Sequence, residues 1–540
     1  MTVKDFLRRP ALRWAPLVPL AAALCWHARA FDFVDDDAYI SFVYARNFAE
    51  HNQLVYNLGD RVEGYTNFLW TLLLGVLMKL GIPPEVSSLV LGAAFAVGTL
   101  VVVVRLMERL GGGPSAWDYL PAALLAGSSG FACWTSGGLE TQMFTFFLAL
   151  GWLCYAEERL VGSGLAFAAA SLTRPEGNLV FAVVVLHRLA ANLLVERRLR
   201  PRRAELAWGA AFVALYVPYF AWRWWYYGWF FPNTFYVKAG GAPPDPRYAA
   251  KLMSFGAYYA WNWAATAKAL WAAPLAILAV FAPRRRRFAA LAWLVTAVYL
   301  AYAIKVGGDF MGLHRFIMPV FVTTALLEAL GLRQLAEWLP PRARAAAGAA
   351  LAATALAGFV ASQVKLTRDM MAPWNTPGRG RTSDGPGGGT GIDRPGWLKL
   401  YAHDRGLIGK RLAGYVTPED LSFVGGAGVQ PYYARMRAYD VFGLVSEQIA
   451  HEVPPTRPRP GHQKWAPDAM VLAHRPTFIF FCYALHRAPR AYSLGCAAGG
   501  FLARGYEPVT IHVPGMRESG EYYTFLKRKD RAPPPDAVRP

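Results

Sequence analysis

Charge is scarce in this chain. Asp, Glu, Lys and Arg make up 17% of its 540 residues, against roughly a quarter in soluble domains, which argues against a wholly soluble protein. The negative sign is the scarcer: 36 Asp and Glu face 56 Lys and Arg, a formal net charge of +20. Such an excess can serve nucleic acid, but no zinc-finger spacing or RNP-like segment is present, so no nucleic-acid partner is expected. Five cysteines are too few and too scattered for a disulfide framework. Cys25, Cys133 and Cys154 lie in apolar stretches and fill space. Cys482 and Cys496 can pair if their region is exported. No repeat at a solenoid period is found.

Apolar and aromatic residues are abundant instead, at 55% and 14%, with a mean hydropathy of +0.22. Runs long enough to cross about 30 Å of hydrocarbon as helices recur up to residue 363. The expected spans are 11–31, 86–107, 117–134, 138–156, 160–173, 178–195, 205–225, 264–282, 288–304, 316–334 and 345–363, about eleven in all. The basic start and apolar middle of the N-terminus read as a retained first span. Basic residues cluster at Lys4, Arg8, Arg9 and Arg13, at Arg105 and Arg109, and at Arg159. They continue in "ERRLRPRR" from Glu196, in "RRRR" from Arg284, and at Arg333, Arg342 and Arg344. All of these fall on one face only if the short apolar piece 67–81 does not cross. That piece is therefore expected to be a re-entrant or interfacial helix, with the N-terminus cytoplasmic and the C-terminus outside.

Composition changes after the last span. Residues 1–364 form the expected membrane domain, with a first outer loop at about 32–85. Residues 365–394 read as a Gly- and Pro-rich linker, and 395–540 as an extracytoplasmic α/β domain ending in a disordered tail, "KRKDRAPPPDAVRP". The fold class is an α-helical multi-pass membrane protein with that domain attached.

The unusual polar motifs share the face opposite the basic clusters. They are "DDDAY" from Asp35, "RVEGYTN" from Arg61, "SGGLE" ending at Glu140, "LTRPEGN" from Leu172, "FFPNTFYVKAG" from Phe230 and "KVGGDFMGLHRF" from Lys305. Each has an ordinary reading: an N-cap or solvated turn for the aspartates, a helix start at Pro175, and interface anchors at Lys238 and Arg315. Together they form more than that. Carboxylates can take a proton from an attacking hydroxyl, while Arg174, Lys238, His314 and Arg315 can hold a phosphate. The aromatic run "YVPYFAWRWWYYGWFF" from Tyr216 is an interfacial belt that can also line a groove for lipid or sugar. A transporter would place its ionisable groups near the bilayer midplane instead. Adjacent carboxylates in "DDD" suit Mg²⁺ or Ca²⁺; no metal ligands are assigned and no cofactor is required.

"DDAYISFVYARN", "LVYNLGDRVEGYTNFLW", "LTRPEG", "PNTFYVKAG", "GGDFMGLHRFIMP" and "AYDVFGLVSEQIAH" follow one another in this order. In these segments the sequence resembles the terminal β-(1→2)-arabinofuranosyltransferase family of mycobacteria, over residues 30–452. The resemblance implies a GT-C fold and transfer of a sugar, arabinofuranose first, from a polyprenyl-phosphate donor to an envelope glycan or glycoconjugate. It places the activity on the extracytoplasmic face of a bacterial plasma membrane. Mannose or another hexose stays open as the sugar. A catalytic base in the first outer loop is implied at Asp36 or Asp37, with Asp36 favoured and Asp35 a solvated extra. Tyr39, Glu63, Tyr65, Asn67, Glu140, Glu176, Asn233 and Asp309 are the candidate substrate-binding residues. Glu63, Glu140, Glu176 and Asp309 are also the candidates for a second carboxylate should the reaction retain configuration. Val43 stands where the family often has Arg, so no phosphate contact is expected there.

Overall fold

The computed structural model describes residues 12–282, 285–378, 381–385, 391–489 and 494–538. The N-terminal half is helical throughout. Helices α1 (Leu17–Arg29), α2 (Asp36–His51), α3 (Phe68–Lys79) and α4 (Pro84–Gly111) come first. They are followed by α5 (Leu120–Gly127), α6 (Ser129–Ser136), α7 (Thr141–Ala156), α8 (Leu160–Thr173) and α9 (Glu176–Leu194). Next are α10 (Arg203–Tyr227), α11 (Asn233–Ala239), α12 (Tyr248–Thr266) and α13 (Ala269–Leu278). The series closes with α14 (Arg286–Val306), α15 (Met318–Trp338) and α16 (Pro341–Asn375).

Among the described residues, six helices are long and apolar enough to cross a membrane, or seven if α12 and α13, bent by 79°, act as one. The sequence led us to expect about eleven. The stretch 117–134 is not one helix, because the extended backbone of Ser128 ends α5 and its hydroxyl caps α6. Helices α7 and α8 are apolar but only 16 and 14 residues long. Helix α3 has 12 residues, a length of about 18 Å, and lies along α2. It is too short to span the bilayer, as the charge pattern required. A single large core of Leu, Val, Phe and Trp fills the space between these helices.

The stretch expected to be a linker starts as helix, since α16 runs on to Asn375. Strands β1 (Ser383–Asp384) and β2 (Ile392–Asp393) then pair antiparallel. Beyond them come α17 (Pro395–Leu412), β3 (Leu421–Val424), α18 (Val429–Ala434), β4 (Arg437–Asp440), α19 (Glu447–Glu452) and α20 (Asp468–Ala473). Strand β5 (Phe478–His486), α21 (Gly499–Leu502), β6 (Tyr506–His512) and β7 (Tyr522–Arg528) complete the domain. The sheet order is β4-β3-β5-β7-β6, parallel across β4, β3 and β5 and antiparallel thereafter. Cys482 on β5 is disulfide-bonded to Cys496.

The tail differs from expectation. Its first residues belong to β7, Arg531 pairs with Asp420 at 3.0 Å, Arg411 pairs with Asp536, and Val538 bridges to Thr510. Ion pairs and a β-bridge thus hold a segment whose composition reads as disordered.

Side chains of the helical body grip the main chain of the α/β domain. Arg46 donates to the Tyr432 carbonyl, Tyr56 to that of Ala427, and Asn233 to those of Gly443 and Leu444. Asn57 both donates to and accepts from the Ala438 backbone.

Candidate functional site

The aspartate run occupies the first turn of α2. Asp35 is the N-cap: its side chain accepts from the Asp37 N–H at 3.0 Å, and its own N–H donates to Gly137 O at 3.1 Å. It is 1% exposed, so it is not the solvated extra the sequence suggested. Capping a helix that starts inside the protein requires an internal acceptor, and Asp35 supplies it. The next two carboxylates benefit from the positive end of the helix and point to different partners.

Asp36 faces the α/β domain. Its Oδ1 accepts from the Val429 N–H at 2.8 Å, at the start of α18. The turn before α18 fits only without side chains, because a Cβ on Gly428 would lie 2.5 Å from the Asp36 carboxylate carbon. Burial pushes the Asp36 carboxyl up to about 7, with the Asp37 charge adding, against the Val429 N–H and the Arg405 guanidinium.

Asp37 faces the helical body, with its side chain 37% exposed and 3.8 Å from Arg315. Its carboxyl is also raised, by burial first, with Arg315 and Lys238 opposing. Arg315 in turn donates to Asp309 at 2.8 Å. Around this pair, Arg174 binds Glu140 at 2.6 Å and Glu176 at 3.3 Å, and Asn67 donates to Glu140 at 2.9 Å. Burial raises the Glu140 carboxyl, but Arg174, Arg315 and the Asn67 amide outweigh it and hold the group below its usual range. Lys238, at the end of α11, is exposed and makes no hydrogen bond or ion pair among the described residues. Loss of hydration lowers its ammonium pKa, and Asp309 opposes this while Arg315 and Arg174 add to it. A side chain open to solvent yet dehydrated and within the field of four charged groups lines a recess. Lys238 is the one cation there whose charge is not already matched by a carboxylate, among the described residues.

The sequence-predicted residues therefore divide. Asp36, Asp37, Asn67, Glu140, Arg174, Glu176, Lys238, Asp309 and Arg315 surround one recess. The others lie outside it. Glu63 is buried against Arg223, whose Nε is 2.9 Å from Glu63 Oε2, and Asn233 N–H donates to Glu63 O at 3.0 Å. Tyr65 shares a 3.0 Å hydrogen bond with Tyr227, and Tyr39 a 3.3 Å bond with Tyr433. His314 is 2% exposed and packs edge-on against Tyr259, with ring centroids 4.9 Å apart. These residues act as struts for the loops around the recess. No three His, Cys, Asp or Glu among the described residues converge to hold a metal ion.

Sequence reasoning missed Arg405, Tyr401 and the turn Gly425–Gly428. The only signal was "GGAGV" placed between the apolar run "LSFV" and the helix that follows.

Two solved structures share this architecture. ArnT from Cupriavidus metallidurans bound to undecaprenyl phosphate aligns with a TM-score of 0.56, at 14% identity, over 96% of this chain and 99% of that one. The chain has the GT-C fold of ArnT. The apo form of ArnT aligns at 0.50 with 14% identity, over 97% and 99%. This fold and the apolar helices make the chain a multi-pass membrane protein, as expected from its composition. In sequence, it is 26% identical over 361 residues to the terminal β-(1→2)-arabinofuranosyltransferase of Mycobacterium tuberculosis (strain ATCC 25618 / H37Rv). That match takes in 58% of this chain and about half, 54%, of the relative. A family described as a domain of unknown function (DUF8728) matches residues 399–526, which is the α/β domain without its first and last segments.

Proposed function

We propose that this chain is a membrane glycosyltransferase. It moves a sugar, arabinofuranose first, from a polyprenyl-phosphate donor to the hydroxyl of an envelope glycan or glycoconjugate. The observation that carries this reading is the pairing in one recess of an unmatched cation, Lys238, with carboxylates raised toward neutrality at Asp36 and Asp37. A base whose pKa lies near the working pH is suited to take a proton from an attacking hydroxyl. Asp36 takes that role: one oxygen is fixed by the Val429 N–H and the other accepts no hydrogen bond among the described residues. The acceptor oxygen then bonds to the anomeric carbon as the sugar–phosphate bond breaks. Negative charge grows on the departing lipid phosphate, where Lys238 and Arg315 stabilise it. Arg174, saturated by Glu140 and Glu176, sets the electrostatics of the wall. The cations supply this stabilisation without a bound metal, so any divalent cation belongs to the substrate complex.

Purified protein offered radiolabelled polyprenyl-phosphate arabinofuranose and polyprenyl-phosphate mannose in parallel tests the reading. Label is expected to pass from the first donor to a glycan acceptor. Transfer from mannose alone reassigns the sugar, and movement of intact lipid across vesicles without transfer would point to a transporter.

The active face lies outside the cytoplasm, with the N-terminus inside, in the plasma membrane of a bacterium. The Cys482–Cys496 pair supports this, because such bonds persist in oxidising compartments. In intact cells a membrane-impermeant maleimide should label these two cysteines only after reduction. Labelling without reductant, or only after lysis, would reverse the orientation.

A further inference from the structure

We infer that the α/β domain completes the reaction centre, with Arg405 as a positioning residue that holds Asp36 in its charged, proton-accepting form. This rests on Asp36 being the base proposed above. The geometry runs through the glycine turn. A Cβ on Gly426 would sit 3.1 Å from both Asp36 Oδ2 and the Tyr401 hydroxyl, so these two groups meet across that residue. Tyr401 carries Arg405 over its ring at 4.6 Å, and Tyr483 holds it from the other side at 4.5 Å. Arg405 Nη2 donates to the Tyr483 hydroxyl at 2.6 Å. The guanidinium is 3% exposed, and its Nη1 has no hydrogen-bond partner among the described residues. Glu518 approaches Nη2 at 3.4 Å, which leaves the other nitrogen to act on the recess.

The charged and titratable groups facing Asp36 are few. Asp35 and Asp37 come from its own helix, Tyr56 from the first loop, and Tyr401 and Arg405 from α17. Helix α18 contributes an N–H and no charge. Arg405 is thus the cation in the set, and two neighbouring carboxylates work against it. Without it, a proton on Asp36 would neutralise the crowded acidic turn and remove the base. The α/β domain, described so far only as a domain of unknown function, then has a defined task. Its docking turns a buried carboxyl group into a usable base, and the acceptor must enter along the seam between the two bodies.

The test is the pH dependence of kcat/KM for the acceptor, measured on the full chain in detergent. Wild type should lose activity as pH falls through about 7, where the base takes up a proton. Arg405→Gln should move this acidic limb up by about one pH unit, since an opposite charge nearby lowers a carboxyl pKa by one unit or more. Near pH 6.5 transfer then falls about tenfold, and most of it returns at higher pH. Arg405→Lys keeps the charge and should leave the limb in place. Tyr483→Phe, which frees one nitrogen of the guanidinium, should shift the limb the same way by less, and it serves even if Arg405→Gln folds poorly. A uniform fall at every pH with an unmoved limb overturns the inference. Persistence of the same limb in Asp36→Asn overturns the base assignment instead, so the two failures are distinguishable.

Discussion

Asp36→Asn should lower sugar transfer by about 10²–10⁴-fold, the usual worth of a general base. The protein itself should be intact. An asparagine oxygen can still accept from the Val429 N–H, which Asp36 binds at 2.8 Å, so the seam between the two bodies keeps its contact. Thermal unfolding and gel-filtration profiles should match wild type. Asp37→Asn should behave differently. It removes a negative neighbour whose charge raises the Asp36 carboxyl, so the acidic limb moves to lower pH. It also frees Arg315, 3.8 Å away, from one of its two carboxylates. The expected loss at neutral pH is smaller, about tenfold, the effect of roughly one unit of altered interaction. If Asp37→Asn is the inactive variant and Asp36→Asn retains activity, the proton goes to Asp37.

The second large effect is at Lys238. Lys238→Met should reduce kcat/KM for the donor about 10²–10³-fold, the range seen when one group stabilising a developing anion is removed. Stability should not change, because the side chain is exposed and has no ion-pair partner among the described residues to leave behind. Arg174→Met gives the contrast. It strands Glu140 and Glu176, both more than nine-tenths buried, and losing one partner of a buried pair costs about 3–5 kcal/mol. That variant should fail mainly by unfolding, visible as a lowered Tm or poor extraction from membranes. Full donor kcat/KM in a folded Lys238→Met protein would remove Lys238 from the phosphate role.

The sequence made the outer features of the molecule legible. Lys and Arg asymmetry identified 67–81 as non-crossing, and the structure gives a 12-residue helix there. The acidic and basic motifs were expected to share a face, and nine of the residues they contain surround one recess. What could not be read depends on partners far away in the chain. Asp36 and Val429 are 393 residues apart, and no local pattern links them. Asp35 looked solvated because its acceptor role depends on a helix start that burial alone reveals. His314 looked like a phosphate ligand until the packing of Tyr259 enclosed it. The break at Ser128 escaped notice because flanking residues are apolar on both sides, so hydropathy is blind to a cap.

The seam between the two bodies has a consequence of its own. Asp36, Arg46, Tyr56, Asn57 and Asn233 all read the backbone of the α/β domain. Recognition is therefore encoded on one partner only. The outer domain can exchange most of its side chains and still seat itself, provided its strand and turn path is kept. Such a lock accepts many keys cut from the same blank, which lets one catalytic body serve outer domains matched to different glycans.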